Sequence, residues 1–245
     1  MQPYLSIVIP AYNEERRLPP TLRRLFAYLQ TLGVSYEIVV IDDGSSDETV
    51  ARVSDLAQEH PELRIIADGI NRGRAPAVKY GVMQAKGDLI LETDSDGSVA
   101  DEAIGRCVAA FAADPSLAAV FGSREMQDSH IVVWQPPLRV FFGYGFLYLT
   151  RVLFRMWRIT DFALGFKMFR RSAAHDIFAH QYEPFIVAEA EIIYVTAHRG
   201  HHFMEIPVTW TDDADSRIKP FREIVRSLIG LSRILARSFR GKYTH

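Results

Sequence analysis

Asp94-Ser95-Asp96 follows directly on the apolar run Leu89-Ile90-Leu91 and the short link Glu92-Thr93. Two carboxylates leaving a buried strand form a site for a divalent cation, and a cation held there can grip a diphosphate. Two earlier runs end in the same manner. Leu5-Ser6-Ile7-Val8-Ile9-Pro10 leads into Ala11-Tyr12-Asn13-Glu14-Glu15, and Ile38-Val39-Val40-Ile41 leads into Asp42-Asp43-Gly44-Ser45-Ser46-Asp47. In an open α/β sheet the ligand lies beyond the carboxyl ends of the strands, where all three polar clusters fall.

These runs are too brief and too apolar for surface helices, so they read as buried parallel strands. Alternation predicts strands at 5–10, 36–41, 63–67, 89–93 and 118–122, with helices at 21–32, 47–59, 75–85 and 101–113 between them. That βαβ order calls for a mostly parallel, Rossmann-like α/β sheet with helices on both faces. The second half is less regular: a long aromatic stretch to residue 159, strands at 165–169 and 203–208, and helices at 188–199 and 224–239.

The 245 residues, 48% of them hydrophobic, are enough for one large core, and a single domain over 1–245 is expected. The net charge of −2 conceals an asymmetry, because residues 216–245 carry eight Lys or Arg against the single acid Glu223. Such an excess calls for an anionic surface as partner. Cys107 is the only cysteine, which excludes an internal disulfide and fits a reducing, cytoplasmic compartment. A strand begins almost at the first residue, so no signal peptide is expected, and no run approaches the roughly 20 apolar residues of a membrane span.

A dinucleotide site is disfavoured, since no Gly-x-Gly-x-x-Gly follows the first strand, and a P-loop is absent as well. Asn71-Arg72-Gly73-Arg74-Ala75-Pro76-Ala77-Val78-Lys79-Tyr80-Gly81 offers cations to phosphate or to the carboxylates and runs into a helix. Asp47 is either a ligand or a helix cap. Glu189 and Glu191, two apart on a helix, do not share a face, so at most one reaches the site. His198, His201 and His202 read as a solvated helix end at Arg199-Gly200 rather than a metal cluster.

Taken together, these segments resemble the family 2 glycosyltransferases in order and spacing over almost the whole chain, which implies a GT-A fold. By that resemblance Pro10, Ala11, Tyr12, Asn13 and Glu14, with Asp42 and Asp43, hold the base and ribose of a nucleotide sugar. Asp94 and Asp96 bind Mg²⁺ or Mn²⁺ and the diphosphate, with Ser95, Arg74 and Lys79 completing the donor side. Gly122-Ser123-Arg124, the segment from Asp161 to Arg171, Ala188-Glu189-Ala190-Glu191 and the segment from Trp210 to Phe221 look like the polyprenyl-phosphate hexosyltransferases, most like the dolichyl-phosphate β-glucosyltransferases. Leu164 stands where Ser or Cys is usual, and Asp215 replaces the Gly before Ser216.

The resemblance implies inverting transfer of a hexose, glucose before mannose, from a nucleoside diphosphate to a polyprenyl phosphate. A lipid monophosphate is already ionised at neutral pH, so it requires positioning more than deprotonation. Asp96, Glu191 and Arg217 are the candidate catalytic residues, and Arg124, Arg139 and Ser216 the candidate acceptor-phosphate contacts. The alternatives are a soluble glycan or small-molecule acceptor, or a nucleotide-sugar binding protein without turnover.

Two segments bear on a membrane partner. Residues 138–158 are apolar around most of a helical wheel and carry four arginines but no acid, which suits a headgroup boundary. In 220–240, Arg222, Arg226, Arg233, Arg237 and Arg240 form a basic stripe opposite Ile224, Leu228, Leu231 and Leu235, with the apolar side expected to pack inward. Peripheral attachment to the cytoplasmic membrane face is expected, and the stripe has no accompanying nucleic-acid recognition motif.

Overall fold

Alternation along the strands decides which side chains meet which helices. In β1 (Leu5–Ala11), Leu5, Ile7 and Ile9 join one apolar cluster while Val8 joins another. β2 (Tyr36–Asp42) divides in the same way, Ile38 and Val40 against Val39 and Ile41, and β4 (Leu89–Thr93) places Leu89 and Leu91 opposite Ile90. Period-two alternation with both faces apolar requires helices above and below the sheet.

The computed structural model describes residues 2–133, 137–212 and 220–244. The remaining elements are α1 (Leu18–Leu32), α2 (Thr49–Glu59), β3 (Leu63–Ala67), α3 (Arg74–Gln84), α4 (Glu102–Ala113), β5 (Ala119–Ser123), β6 (His130–Val133), α5 (Pro137–Phe154), β7 (Phe166–Arg170), α6 (Arg171–Ala179), α7 (Ala188–His198), β8 (Phe203–Pro207), β9 (Thr209–Thr211) and α8 (Pro220–Phe239). The main sheet has the order β3-β2-β1-β4-β7-β5-β8, and β6 pairs with β9 in a small ribbon. Only β7 runs antiparallel to its neighbours in the main sheet. Its insertion leaves the C-terminal ends of β4 and β5 at the same edge, two strand spacings apart, roughly 10 Å.

Helices α1 and α4 cover the face of Leu5 and Leu91, whereas α3, α6 and α7 cover the face of Val8 and Ile90. α1 starts three residues earlier than expected because Pro19 and Pro20 fit a first helical turn, and it stops at Gly33, whose φ is +63°. The expected strands and helices are all present. β6, β9 and α6 were not anticipated; α6 follows β7 without an intervening residue, so no turn signal marked the junction.

The terminal helix corrects one expectation. Leu231 and Ile234 pack inward, but Val225, Leu228, Ile229 and Phe239 are exposed. The expected basic stripe turns partly toward the protein: Arg233 and Arg237 both pair with Glu183, and Arg226 lies over the Phe185 ring. The cause is Glu183, a fully buried carboxylate that needs cationic partners.

Gly81 allows α3 to approach the sheet closely. A Cβ there would meet Val8 and come within 2.8 Å of Ile41 Cγ1. Gly81→Ala is expected to destabilise the protein by about 1–3 kcal/mol in urea titrations; unchanged stability would show that α3 is not so tightly seated.

Candidate active site

At the first two strand ends, loop geometry is fixed largely by the chain's own polar groups. Asn13 adopts φ +55°, and its Oδ1 accepts the Ser46 amide at 2.8 Å while its own amide donates to Ser45 Oγ at 2.9 Å. Asp42 accepts the amides of Gly44 and Ser45, at 3.2 and 3.1 Å. Asp43 accepts those of Arg72 and Gly73, at 2.6 and 2.9 Å. Asp43 thereby ties the end of β2 to the turn that starts α3; burial raises its carboxyl above the ordinary range despite those two amides. Pro10 and Ala11 are buried at the end of β1, Glu14 pairs with Arg17, and Tyr12 is exposed. Asp47 ties two loops, its Oδ1 accepting the Thr49 amide at 3.0 Å and its Oδ2 the Glu15 amide at 3.2 Å.

Asp94, Ser95 and Asp96 emerge from β4 as expected. Asp96 Oδ1 accepts the Ser98 amide at 2.9 Å, and Ser95 is buried. Asp94 Oδ1 receives Arg74 Nε at 2.7 Å, and Arg74 Nη1 bonds Glu189. Glu189 is paired on its other oxygen with Lys167, which also donates to the Leu164 carbonyl at 2.5 Å. Lys167 on β7 sits directly opposite Glu92 on β4 in the antiparallel register, with Nζ 3.9 Å from Oε1.

The sheet and helices therefore bring together Lys167, Glu189, Arg74 and Asp94 in one chain of alternating charge, with Glu92 behind Lys167. Burial opposes the charge on Glu189, but Lys167 and Arg74 outweigh it and hold the carboxyl below its usual range. Glu92 lacks such support: both its oxygens are buried without a hydrogen-bond partner, and burial followed by the Glu189 charge pushes its carboxyl up to about 8.

Two expected site residues are engaged elsewhere. Glu191, the acid chosen from α7, accepts the Tyr182 and Glu183 amides at 2.9 and 2.6 Å and the Tyr243 hydroxyl at 2.5 Å. The α7 acid that reaches the partner of Asp94 is Glu189, because a two-residue step turns the other side of the helix. Lys79 donates to the carbonyls of Gln181, at 2.9 Å, and Ala179, and not to the carboxylates. Lys167 was missed; its signal was a lysine within the strand Phe166-Lys167-Met168-Phe169. The three histidines diverge: His201 meets Asp176, His202 meets Ser116, and His198 stacks on Tyr194.

Two strands away, Arg124 leaves the end of β5. Its Nε and Nη2 donate to Asp161 at 2.7 and 3.0 Å, and its guanidinium lies 5.3 Å from the centre of the Trp210 ring. Glu205 holds this loop by accepting the Thr160 and Asp161 amides, at 2.9 and 3.1 Å. Burial works against ionised Asp161, but Arg124 and the surrounding hydrogen bonds hold its carboxyl below the usual range. The pair and Glu125 line a pocket of about 100 Å³ whose apolar wall is formed by Val140 and Leu147 of α5 together with Phe162. The Arg139 side chain, Ser216 and Arg217 lie outside the described residues.

Among the described residues no three His, Cys, Asp or Glu side chains converge as a complete metal cage. Asp94 and Asp96 suit a cation that draws its remaining oxygens from phosphate and water. The Asp94 side chain is 41% exposed, against 3% for Glu189, so the ligand has access to the first and not the second.

The sheet order and this strand-end site define a GT-A glycosyltransferase fold, and the family model described as Glycosyl transferase family 2 matches residues 6–178. The chain belongs to that family. Among curated relatives it is similar to dolichyl-phosphate beta-glucosyltransferases. That of Dictyostelium discoideum is 32% identical over 248 residues, covering 97% of this chain and 76% of that protein. The ALG5C protein of Trichomonas vaginalis is 32% identical over 224 residues, covering 88% and 66%, so the match spans just under two thirds of that relative. The human protein is 30% identical over 228 residues, covering 89% and 70%.

Solved structures share the fold. The mannosyltransferase PcManGT from Pyrobaculum calidifontis, in complex with GDP-Man and Mn²⁺, has a TM-score of 0.61 at 20% identity, covering 98% of this chain and 65% of that one. Glucosyl-3-phosphoglycerate synthase from Mycobacterium tuberculosis, in complex with Mn²⁺ and UDP-glucose, has a TM-score of 0.66 at 15% identity, covering 98% and 79%.

The Arg124–Asp161 pair yields a sign-defined prediction. A depressed carboxyl adds stability above its unfolded pKa, and that stability is lost as pH falls through the folded value. Asp161→Asn leaves a largely buried guanidinium unpaired and is expected to cost about 3–5 kcal/mol at neutral pH, with a smaller further loss on acidification than the parent shows. Urea titrations at pH 7 and pH 3 check both parts. Gly165→Ala tests the other side: a Cβ there collides with Arg74 and lies 2.7 Å from Asp94 Oδ2, so donor-dependent activity is expected to fall about 100-fold in a folded protein.

Proposed function

We propose that this chain transfers glucose, with inversion, from UDP-glucose to a polyprenyl phosphate of the dolichyl type. GDP-mannose is the second donor in order of preference. The observation carrying this reading is the joint placement of Asp94 and Arg124 at the C-terminal ends of β4 and β5, with a pocket of about 100 Å³ walled by apolar side chains of α5 beside Arg124. The relatives' names support glucose and dolichyl phosphate as the substrate classes.

The first two strand ends, Pro10–Glu14 and Asp42–Asp43, form the wall for base and ribose. Asp94 and Asp96 hold Mg²⁺ or Mn²⁺, with Ser95 between them and Arg74 beside Asp94. When bound, the cation supplies neutralisation of the charge that develops on the departing nucleoside diphosphate. Arg124 and Arg139 receive the acceptor phosphate, with Ser216 and Arg217 contributing from the loop before α8. Asp161 occupies the Nε and Nη2 donors of Arg124, which orients the guanidinium and leaves its Nη1 edge toward the phosphate.

Since the acceptor is ionised, the chain's task is to align its oxygen and exclude water, and no general base is required. Asp96 acts through the cation, and Glu191 contributes structurally through the α8 tail. Attack from the Arg124 side on the sugar, whose diphosphate lies on the Asp94 side, produces a β-linked product from an α-linked donor.

The lipid reading includes a surface. Phe141, Tyr148 and Trp157 on and after α5, and Val225, Leu228, Ile229 and Phe239 on α8, are exposed, and Arg155, Arg158 and Arg240 accompany them. Such a surface suits an anionic headgroup boundary at the cytoplasmic face. Among the described residues no helix is long and apolar enough to cross a membrane.

Incubation with radiolabelled UDP-glucose or GDP-mannose, Mn²⁺ and a short polyprenyl phosphate is expected to carry label into the organic phase with UDP-glucose. Asp96→Ala is expected to lower that transfer at least about 100-fold. Donor hydrolysis or binding without lipid labelling would contradict the acceptor assignment. Sedimentation with vesicles containing anionic lipid is expected to deplete the protein from the supernatant, and Leu228→Glu with Ile229→Glu to abolish the depletion.

A further inference from the structure

The chain of charge from Lys167 to Asp94 does more than neutralise a buried site. Arg74 is shared between two acids of opposite exposure: Asp94 at the ligand edge and Glu189 in the interior. Lys167 is itself almost fully buried and fixes Glu189 from behind, while the Leu164 carbonyl fixes Lys167. Glu189 therefore stands where it can accept the Arg74 guanidinium, on an atom separate from the one bound to Lys167.

We infer that Arg74 is a resident cation for Asp94, which Glu189, held by Lys167, receives when a divalent ion takes over Asp94. Glu189 and Lys167 are then positioning residues that set how readily Asp94 gives up its arginine. Two observations carry this. Arg74 Nε and Nη2 both approach one oxygen of Asp94 at 2.7 Å, and among the described residues Asp94 Oδ2 accepts no hydrogen bond, so a cation can arrive at Oδ2 before the arginine departs. Gly165 lies against both groups, and the space where its Cβ would stand is the space that the Arg74 Nη2 and the Asp94 oxygens fill. The movement required is a side-chain shift between partners already in contact, with no helix displaced.

The signs of the two substitutions are opposite. Without the Glu189 charge, Arg74 has no second acceptor and the site loses a negative charge, so the divalent ion binds less tightly. Without Arg74 there is no competitor for Asp94, so the ion binds more tightly in the absence of nucleotide. A network that served only stability would lower the unfolding midpoint in both variants and leave the ion's affinity unmoved.

The inference rests on Asp94 as a metal ligand, which the same experiment tests separately. Free Mn²⁺ is followed by electron paramagnetic resonance in titrations of the nucleotide-free full chain and of Asp94→Asn, Glu189→Gln, Arg74→Gln and the last two combined. Parent binding that Asp94→Asn removes establishes the ligand; if Asp94→Asn binds Mn²⁺ as the parent does, both this inference and the metal reading fall. Glu189→Gln is expected to weaken Mn²⁺ about tenfold and Arg74→Gln to strengthen it several-fold, with the combined variant within about twofold of Arg74→Gln. Parent-like affinity in Glu189→Gln, or weaker binding in Arg74→Gln, would overturn the inference while leaving the metal site intact. If Glu189→Gln does not fold, Arg74→Gln decides alone, because unchanged or weaker binding there contradicts the competition.

Discussion

A lysine buried in the middle of the sheet is the constraint on which the site depends. Lys167 is fully covered on β7, and burying an ammonium is tolerated only with acids at hand. The antiparallel register sets Glu92 opposite it, and α7 lowers Glu189 onto it. Once Glu189 is fixed, Arg74 at the start of α3 has a permanent partner, and its remaining reach ends at Asp94. The strand end that faces the ligand is thus braced from the core outward through ion pairs, each of which needs the previous one. Glu189 is the shared member, since its loss would take the close carboxylate from Lys167 and the interior one from Arg74.

The same antiparallel insertion creates the spacing between the two halves of the site. β7 lies between β4 and β5, which keeps Asp94 and Arg124 on one edge of the sheet yet two strands apart. Each half is braced separately: Asp94 by Arg74, and Arg124 by Asp161, whose loop Glu205 holds from β8. The contrast in surroundings is also built in. The Asp94 side is polar and approached by loops, whereas α5 turns Val140 and Leu147 toward the Arg124 side.

Much of this was legible in the chain. Short apolar runs located all seven strands of the main sheet, and their polar ends marked one edge of it, because alternation and strand-end chemistry are local properties. Asp94, Asp96 and Arg124 follow the strand ends expected from the sequence, and Arg74 opens the helix expected after it. Glu191 and Lys79 were misplaced because helix rotation and the reach of a lysine depend on what packs alongside: Tyr243 and the Gln181 carbonyl are distant in sequence. Lys167 could have been noticed as a lone cation in an apolar strand, but its partner on β4 becomes visible only when β7 is known to run antiparallel. The arginines of α8 were assigned outward for a similar reason, since Glu183 gives no sign in the sequence that it is buried.

The central claim is that metal-bound donor and lipid phosphate meet across β7, and a distance tests it directly. The ³¹P relaxation of a short polyprenyl phosphate would be recorded with the protein, UDP and Mn²⁺, using Mg²⁺ as the diamagnetic reference. Paramagnetic enhancement corresponding to a metal–phosphorus separation of roughly 10 Å or less, two strand spacings, is the predicted result. Saturating lipid phosphate with no Mn²⁺-dependent enhancement would place the acceptor elsewhere and contradict the account.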